Sequence, residues 1–287
     1  MRDESKLEAI PRIMKEKNID VYLIQETHLV GDFEKTLIDN FFMIHHGPEE
    51  QPLRGAKGGV AIVLSPELAD LWKSSKKKQK IARGGTTIGD TTRILSISIR
   101  FKTNNPKINK ELTHTLSLST IYFPHSGDKN CELDQFSNEV SEFLAANLPT
   151  KNNTAIIGAD INTSIGTRPT DLQTSLPGKH DNEHDLDPII DLLGPFGNNR
   201  KSKPEASERI LNIMREHNLR AASTFFDNNQ KYNTWLAPPR PESKERHAYQ
   251  IDHIFIPKNQ LCHTTNVKRR FDGIHSDHAA LRIDFCS

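Results

Sequence analysis

Asp160 and Asn162 stand two residues apart, after the apolar run Ile156-Ile157-Gly158-Ala159. Such a run reads as a buried strand, and Gly158 is expected to mark its end, where a close approach or a sharp bend is tolerated. Residues two apart on extended chain point the same way. A carboxylate and an amide are therefore expected to project together from a core strand. That pair suits orienting a water molecule and holding a phosphate oxygen. The plainer reading is a turn, because Asp and Asn are turn formers.

Other polar groups stand at strand ends in the same manner. Val21 to Ile24 read as a strand followed by Gln25-Glu26-Thr27-His28, which puts the Glu26 carboxylate at its carboxyl end, well placed for a metal or a substrate. Tyr122 closes another apolar segment and leads into Phe123-Pro124-His125. Asp252 falls within the strand pattern of AYQIDHIFIP, and Ser276-Asp277-His278 precede a closing strand through Leu281, Ile283 and Phe285. A buried carboxylate is costly unless paired. A histidine is its natural partner, since the pair orients and charges the ring.

The elements that must position these groups follow from periodicity. Helices are expected over 3–17 (kinked or started late by Pro11), over 132–147 and over 205–218, and Leu37 to Ile44 reads as a short amphipathic helix and the entry to a strand. Strands are expected over 57–65, 93–101, 113–124, 221–226 and 233–236, with a hairpin loop between the second and third. His45-His46 read as loop residues, since neighbours on extended chain point oppositely and do not converge on a metal. The basic segment with Lys73, Lys76, Lys77, Lys78, Lys80 and Arg83 reads as a solvated loop before it reads as a phosphate-binding one. The cluster His180, Asp181, Glu183, His184, Asp185 and Asp187 lacks the spacing of a metal site.

The chain has 287 residues, which fits one large α/β or all-β domain, or two small ones, with a sizeable core. Its 38 basic and 37 acidic residues nearly cancel, so any basic footprint is local. Cys131, Cys262 and Cys286 are odd in number and far apart, which predicts neither disulfides nor zinc and suits a reducing compartment. No apolar run approaches a membrane span, and the N-terminal stretch has no apolar signal core. An intracellular location is expected, with the nucleus as a candidate compartment, although the Lys-Arg-Arg run at 268–270 is too generic to prove import.

Taken in order, Glu26, Tyr122, Asp160 with Asn162, Asp252, and Asp277 with His278 resemble the endonuclease/exonuclease/phosphatase superfamily. The stretches that carry the likeness are QETH, YFP, GADIN, QIDHI and SDH. Within that superfamily the chain most resembles the apurinic-type endonuclease domain of non-LTR retrotransposons, on QETHL, GPFG at 194–197, SERILNIMREHNL followed by TFF, and NTW at 233–235. The likeness implies an α/β fold over residues 1–287 as one domain: a DNase I-like four-layer sandwich, with two mixed β-sheets packed face to face and helices outside. It implies that Glu26 and Asp277 serve a divalent cation, Mg²⁺ with Mn²⁺ as its substitute. Asp160 would orient or deprotonate the attacking water, Asn162 would hold a phosphate oxygen, and Asp252 would fix and charge His278. Tyr122 would donate to the scissile phosphate, with His28 and His125 beside it.

The implied activity is Mg²⁺-dependent nicking of DNA, with a reverse transcriptase domain encoded nearby as a partner and no membrane. A phosphate-monoester phosphatase and a shortened, inactive nucleic-acid-binding relic are the alternatives. Two departures from the family pattern stand out. No strand ending in Asn, with which the family begins, reads ahead of the first helix, so the expectation is either a start recorded too late or a domain that has lost an inner strand and that Asn. His125 also stands where the family often has Asn, three residues after the tyrosine.

Overall fold

The computed structural model describes residues 4–50, 58–74, 80–84, 92–105, 110–125, 130–148, 153–166, 192–194, 204–226, 233–237, 247–270 and 278–285. It is a mixed α/β protein with two main sheets and helices. The chain divides into two compact units, residues 1–123 with 138–160, and residues 124–137 with 161–287.

The first unit opens with α1 (Glu4–Lys17), which carries Pro11 inside it and buries Ile10 and Met14. The next strands are β1 (Val21–Ile24), β2 (Phe33–Thr36), β3 (Phe42–His46) and β4 (Val60–Leu64). They form an antiparallel sheet in the order β1-β4-β3-β2, so β1 is an edge strand among the described residues. After α2 (Pro66–Ser74) come β5 (Lys80–Gly84), β6 (Ile94–Asn105) and β7 (Lys110–Tyr122). Past α3 (Asn130–Asn147) lies β8 (Thr154–Asp160). Strand β6 runs antiparallel to both β5 and β7, and β8 lies parallel to β7.

Alternation along the strands explains why the two sheets stack. Phe42 and Ile44 of β3, and Val60, Ile62 and Leu64 of β4, face Leu95, Ile97 and Ile99 of β6 and Leu118 of β7 in one buried cluster. Trp72 and Ala69 of α2 complete it, with α2 lying against both β4 and β6. Along α3, Leu133, Phe136, Val140 and Leu144 are buried at the expected spacing.

The second unit contains α4 (Pro204–Glu216), β9 (Leu219–Ala221), β10 (Trp235–Leu236), β11 (Ala248–Tyr249), β12 (Asp252–Pro257), β13 (Thr264–Arg270) and β14 (Ala280–Phe285). Strands β9 and β12, β10 and β11, and β13 and β14 form antiparallel pairs. Helix α4 buries Ile210, Leu211, Ile213 and Met214. No described helix is long and apolar enough to cross a membrane.

Three sequence expectations are corrected. Between Leu37 and Ile44 the strand entry is there, as β3 from Phe42, but in place of an amphipathic helix a 3₁₀ turn at Ile38–Asn40 joins β2 to β3. His45 and His46 are buried strand residues of β3, not loop residues, and Asp32 accepts from the His46 ring at 2.7 Å. The segment 221–226 is mostly a 3₁₀ turn, Ala222–Thr224, because the strand pairing with β12 ends at Ala221. Of the basic stretch, Lys73 lies over the Phe42 ring and Arg83 pairs with Asp32. Lys76, Lys77 and Lys78, and the cluster at 180–187, lie outside the described residues.

Candidate active site

In the first unit, the carboxyl ends of β1, β7 and β8 are tied together by polar side chains. Thr120, fully buried on β7, donates to the Ile24 carbonyl at 3.1 Å. Gln25 donates to Thr120 Oγ1 at 2.8 Å and to the Gly158 carbonyl at 3.3 Å. Parallel pairing sets Tyr122 opposite Asp160, and the Phe123 N–H donates to the Asp160 carbonyl at 2.8 Å. Gly158 is not the end of β8 but lies within it, and the absence of a side chain there is what admits Leu23. A Cβ on Gly158 would stand 2.9 Å from Leu23 Cδ1. Carboxyl ends of parallel strands are the usual place for a ligand in α/β sheets.

These ties bring Glu26, Tyr122 and Asp160 to one place. The Tyr122 hydroxyl donates to Glu26 Oε1. Burial raises the Tyr122 pKa most, the charge and hydrogen bond of Glu26 raise it further, and Asp160 adds to it, while Arg93 opposes. Tyr122 is therefore a neutral donor throughout the physiological range. Arg93 is buried, with its guanidinium 4.7 Å from the centre of the Tyr122 ring and Nη1 donating to the Tyr122 carbonyl at 3.4 Å. Sequence reading missed this arginine, because its position before an apolar strand gives no sign that it lies over the tyrosine.

Glu26 and His28 both have left-handed backbone, at φ of +52° and +54°. Non-glycine residues seldom adopt it, and sparsely populated conformations of this kind cluster at functional sites. Two carboxylates beside a phenol are hard oxygen donors, the kind Mg²⁺ and Mn²⁺ take. Glu26 and the buried Asp160 thus fit a divalent cation by the chemistry of their donors.

The second unit holds the other expected pair. His278 Nδ1 lies 3.0 Å from Asp252 Oδ2 and 3.2 Å from Oδ1, both side chains being largely buried. Thr234 organises this pair. Its hydroxyl oxygen accepts the Ile251 N–H at 3.1 Å and the Asp252 N–H at 3.0 Å, and its carbonyl accepts the Ala279 N–H at 2.6 Å. Trp235 forms a backbone bridge with His278 and sets its ring 6.4 Å from the imidazole. Thr234 belonged to a recognised stretch, NTW, but its role was not legible, because a threonine beside a tryptophan carries no mark of what it bonds.

Asn162 departs from expectation. Strand β8 stops at Asp160, and Asn162 has φ of +49°. The same-face argument for extended chain therefore does not apply to the two residues. A left-handed Asn is the turn conformation that its short polar side chain tolerates. His125 is exposed just past β7. Asp277 and Pro195 to Gly197 lie outside the described residues.

No protein-family profile matches the sequence, and no curated protein does. Solved structures do match by fold. A 3'-5' exonuclease, NExo, from Neisseria meningitidis is similar at a TM-score of 0.61 and 13% identity, over 99% of this chain and 96% of that one. The endonuclease domain of TRAS1, a telomere-specific non-LTR retrotransposon, is similar at 0.53 and 14%, over 98% and 91%. An AP endonuclease from Archaeoglobus fulgidus is similar at 0.60 and 13%, over 98% and 95%. The chain has the DNase I-like fold of these exo- and endonucleases. At such identities the likeness is one of fold, and the chemistry has to be argued from the side chains.

Proposed function

We propose that the protein is a divalent-metal-dependent phosphodiester hydrolase that nicks DNA. The observation that carries this reading is the Tyr122 hydroxyl bonded to Glu26, with Asp160 set opposite Tyr122 by the parallel pairing of β7 and β8. Mg²⁺, held by Glu26 and by Asp277, would neutralise charge on the phosphate oxygens when bound. Asp160 orients the attacking water and takes its proton. Tyr122 is neutral, and its hydroxyl, donated to Glu26 in the free protein, turns to a phosphate oxygen in the substrate complex. Asp252 holds the imidazole of His278 by Nδ1, leaving Nε2–H to stabilise negative charge as it develops on the phosphorus oxygens. Asn162, with His28 and His125, is assigned to holding the phosphate. The order of the motifs along the chain assigns all of these residues to one reaction.

Nicking of supercoiled plasmid by wild type, Asp160→Asn and His278→Ala, with Mg²⁺ and with chelator, tests the reading. Nicking should need the metal and fall about 10³-fold in each variant, as loss of positioned groups does. The double variant should lose little more than the worse single one, because residues of one catalytic unit are not additive. Equal nicking by all proteins would sink the assignment. A DNA hairpin with a 3'-phosphate and a soluble inositol phosphate serve as the monoester arms. Release of phosphate from either without nicking would move the reading to a phosphatase. The finer assignment to a retroelement rests on the stretches QETHL and NTW and on the fold shared with the TRAS1 domain. A reverse transcriptase frame beside the coding sequence would support it.

A further inference from the structure

We propose that His45 is a positioning residue for Glu26, acting through the hydroxyl of Thr27; this rests on the reading of Glu26 as a divalent-cation ligand. The geometry comes from four elements of the first unit. Thr27 lies between two left-handed residues, Glu26 and His28, and is fully buried. Its N–H donates to the Gly59 carbonyl at 3.0 Å, and the His28 N–H donates to the Gly58 carbonyl at 3.2 Å. The turn is therefore fastened to the glycine pair that leads into β4.

The side chain is fastened separately. His45 Nδ1 lies 2.7 Å from the Gly31 carbonyl, which can only accept, so Nδ1 carries the proton. Burial lowers the His45 pKa to about 4, and the ring is neutral near pH 7. Its Nε2 is then an acceptor, and the Thr27 hydroxyl, 2.8 Å away, donates to it. The hydroxyl oxygen faces the Leu29 N–H at 3.4 Å. Phe33 stacks on the imidazole with ring centres 4.6 Å apart.

The space around these groups leaves no slack. A Cβ on Gly59 would collide with Thr27 Oγ1, and one on Gly47 would collide with His45 Cε1 and with the Leu29 carbonyl. Gly59, at φ of +80°, also has backbone that favours glycine. A buried ring thus spends both its nitrogens on fixing one turn, and that turn presents Glu26 to Tyr122. Groups that orient ligand residues in this way typically change metal affinity or rate by about 10- to 100-fold when removed.

The experiment compares wild type, Thr27→Val, Thr27→Ser and His45→Ala, all metal-free at first. Hydrogen exchange of the amides of residues 26–29 should quicken at least ~10-fold in Thr27→Val, with β4 unchanged, and return to wild type in Thr27→Ser. Mn²⁺ titration followed by electron paramagnetic resonance should show affinity falling about 10- to 100-fold in Thr27→Val and staying within about 3-fold of wild type in Thr27→Ser. His45→Ala should match Thr27→Val. If it does not fold, the valine and serine pair decides. Thr27→Val with wild-type affinity, or Thr27→Ser as weak as Thr27→Val, overturns the proposal while leaving Glu26 a ligand. No Mn²⁺ binding by wild type would overturn the reading of Glu26 and this proposal with it.

Discussion

Thr234 shows how much one hydroxyl does in the second unit. It accepts two adjacent backbone N–H groups at the head of β12, and those groups have no water to turn to, since Thr234 is 1% exposed. Thr234→Val keeps the shape and strands both donors, so unfolding by urea should show a loss of about 2–3 kcal/mol, and Thr234→Ser should recover most of it. Tyr122 is the comparable residue in the first unit. Tyr122→Phe removes the donor to Glu26 without changing the packing of the ring. Its nicking rate should fall about 10²-fold, as loss of one preorganised donor does, while the unfolding midpoint stays close to wild type. Glu26 and Tyr122 were legible because each stands where an apolar run stops, Asp252 because it interrupts one, and His278 because it precedes one. Arg93, Thr27 and His45 were not, because their partners are distant in sequence and an isolated arginine, threonine or histidine has no spacing to betray it.

At the scale of elements, the core is set by alternation and closed by a few close contacts. Trp72 of α2 is fully buried in the cluster that both sheets of the first unit share. Trp72→Ala should cost about 3–5 kcal/mol in denaturant unfolding, as large core truncations do. The tight fit of β8 against β1 makes the opposite prediction for a small residue. Gly158→Val must displace Leu23, whose Cδ1 and Cβ would lie 2.9 and 3.0 Å from a new Cβ. Overpacking of that sort costs about 1–3 kcal/mol, and it should shift Gln25 and so slow nicking as well. Strand β1 falls at the four residues, Val21 to Ile24, that periodicity predicted, and β8 and β14 fall close to expectation. The helix expected ahead of the strand entry in 37–44 and the strand expected over 221–226 are short and amphipathic in either period. There pairing with β3 and β12 decided the conformation, not local propensity.

For the molecule as a whole, two buried histidines set an acid limit. His45 and His253 have pKa values lowered to about 4, burial being the largest cause for both. The unfolded rings titrate near 6.5. Between those values the unfolded chain binds more protons than the folded one, so stability falls as the pH drops through this window and is fully present above it. Guanidine unfolding at pH 7 and pH 5 should differ by about 3–4 kcal/mol for the two rings together. His253→Gln should flatten the dependence by about half. Equal stability at the two pH values would remove the basis for a neutral His45.

The order of the chemistry-bearing residues, the α/β class and the strands that lead to Glu26, Tyr122 and Asp160 were written in the sequence. Apolar runs specify burial, and a polar residue that interrupts one stands out locally. What the tertiary structure alone decided is how those residues are held. Tyr122 is turned toward Glu26, Arg93 lies over its ring, Asn162 leaves the strand in a left-handed turn, and His45 reaches Thr27 across the sheet. Each depends on contacts between segments that only packing brings together, and a hydrogen bond at 2.8 Å between residues 18 apart has no counterpart in the pattern of the chain.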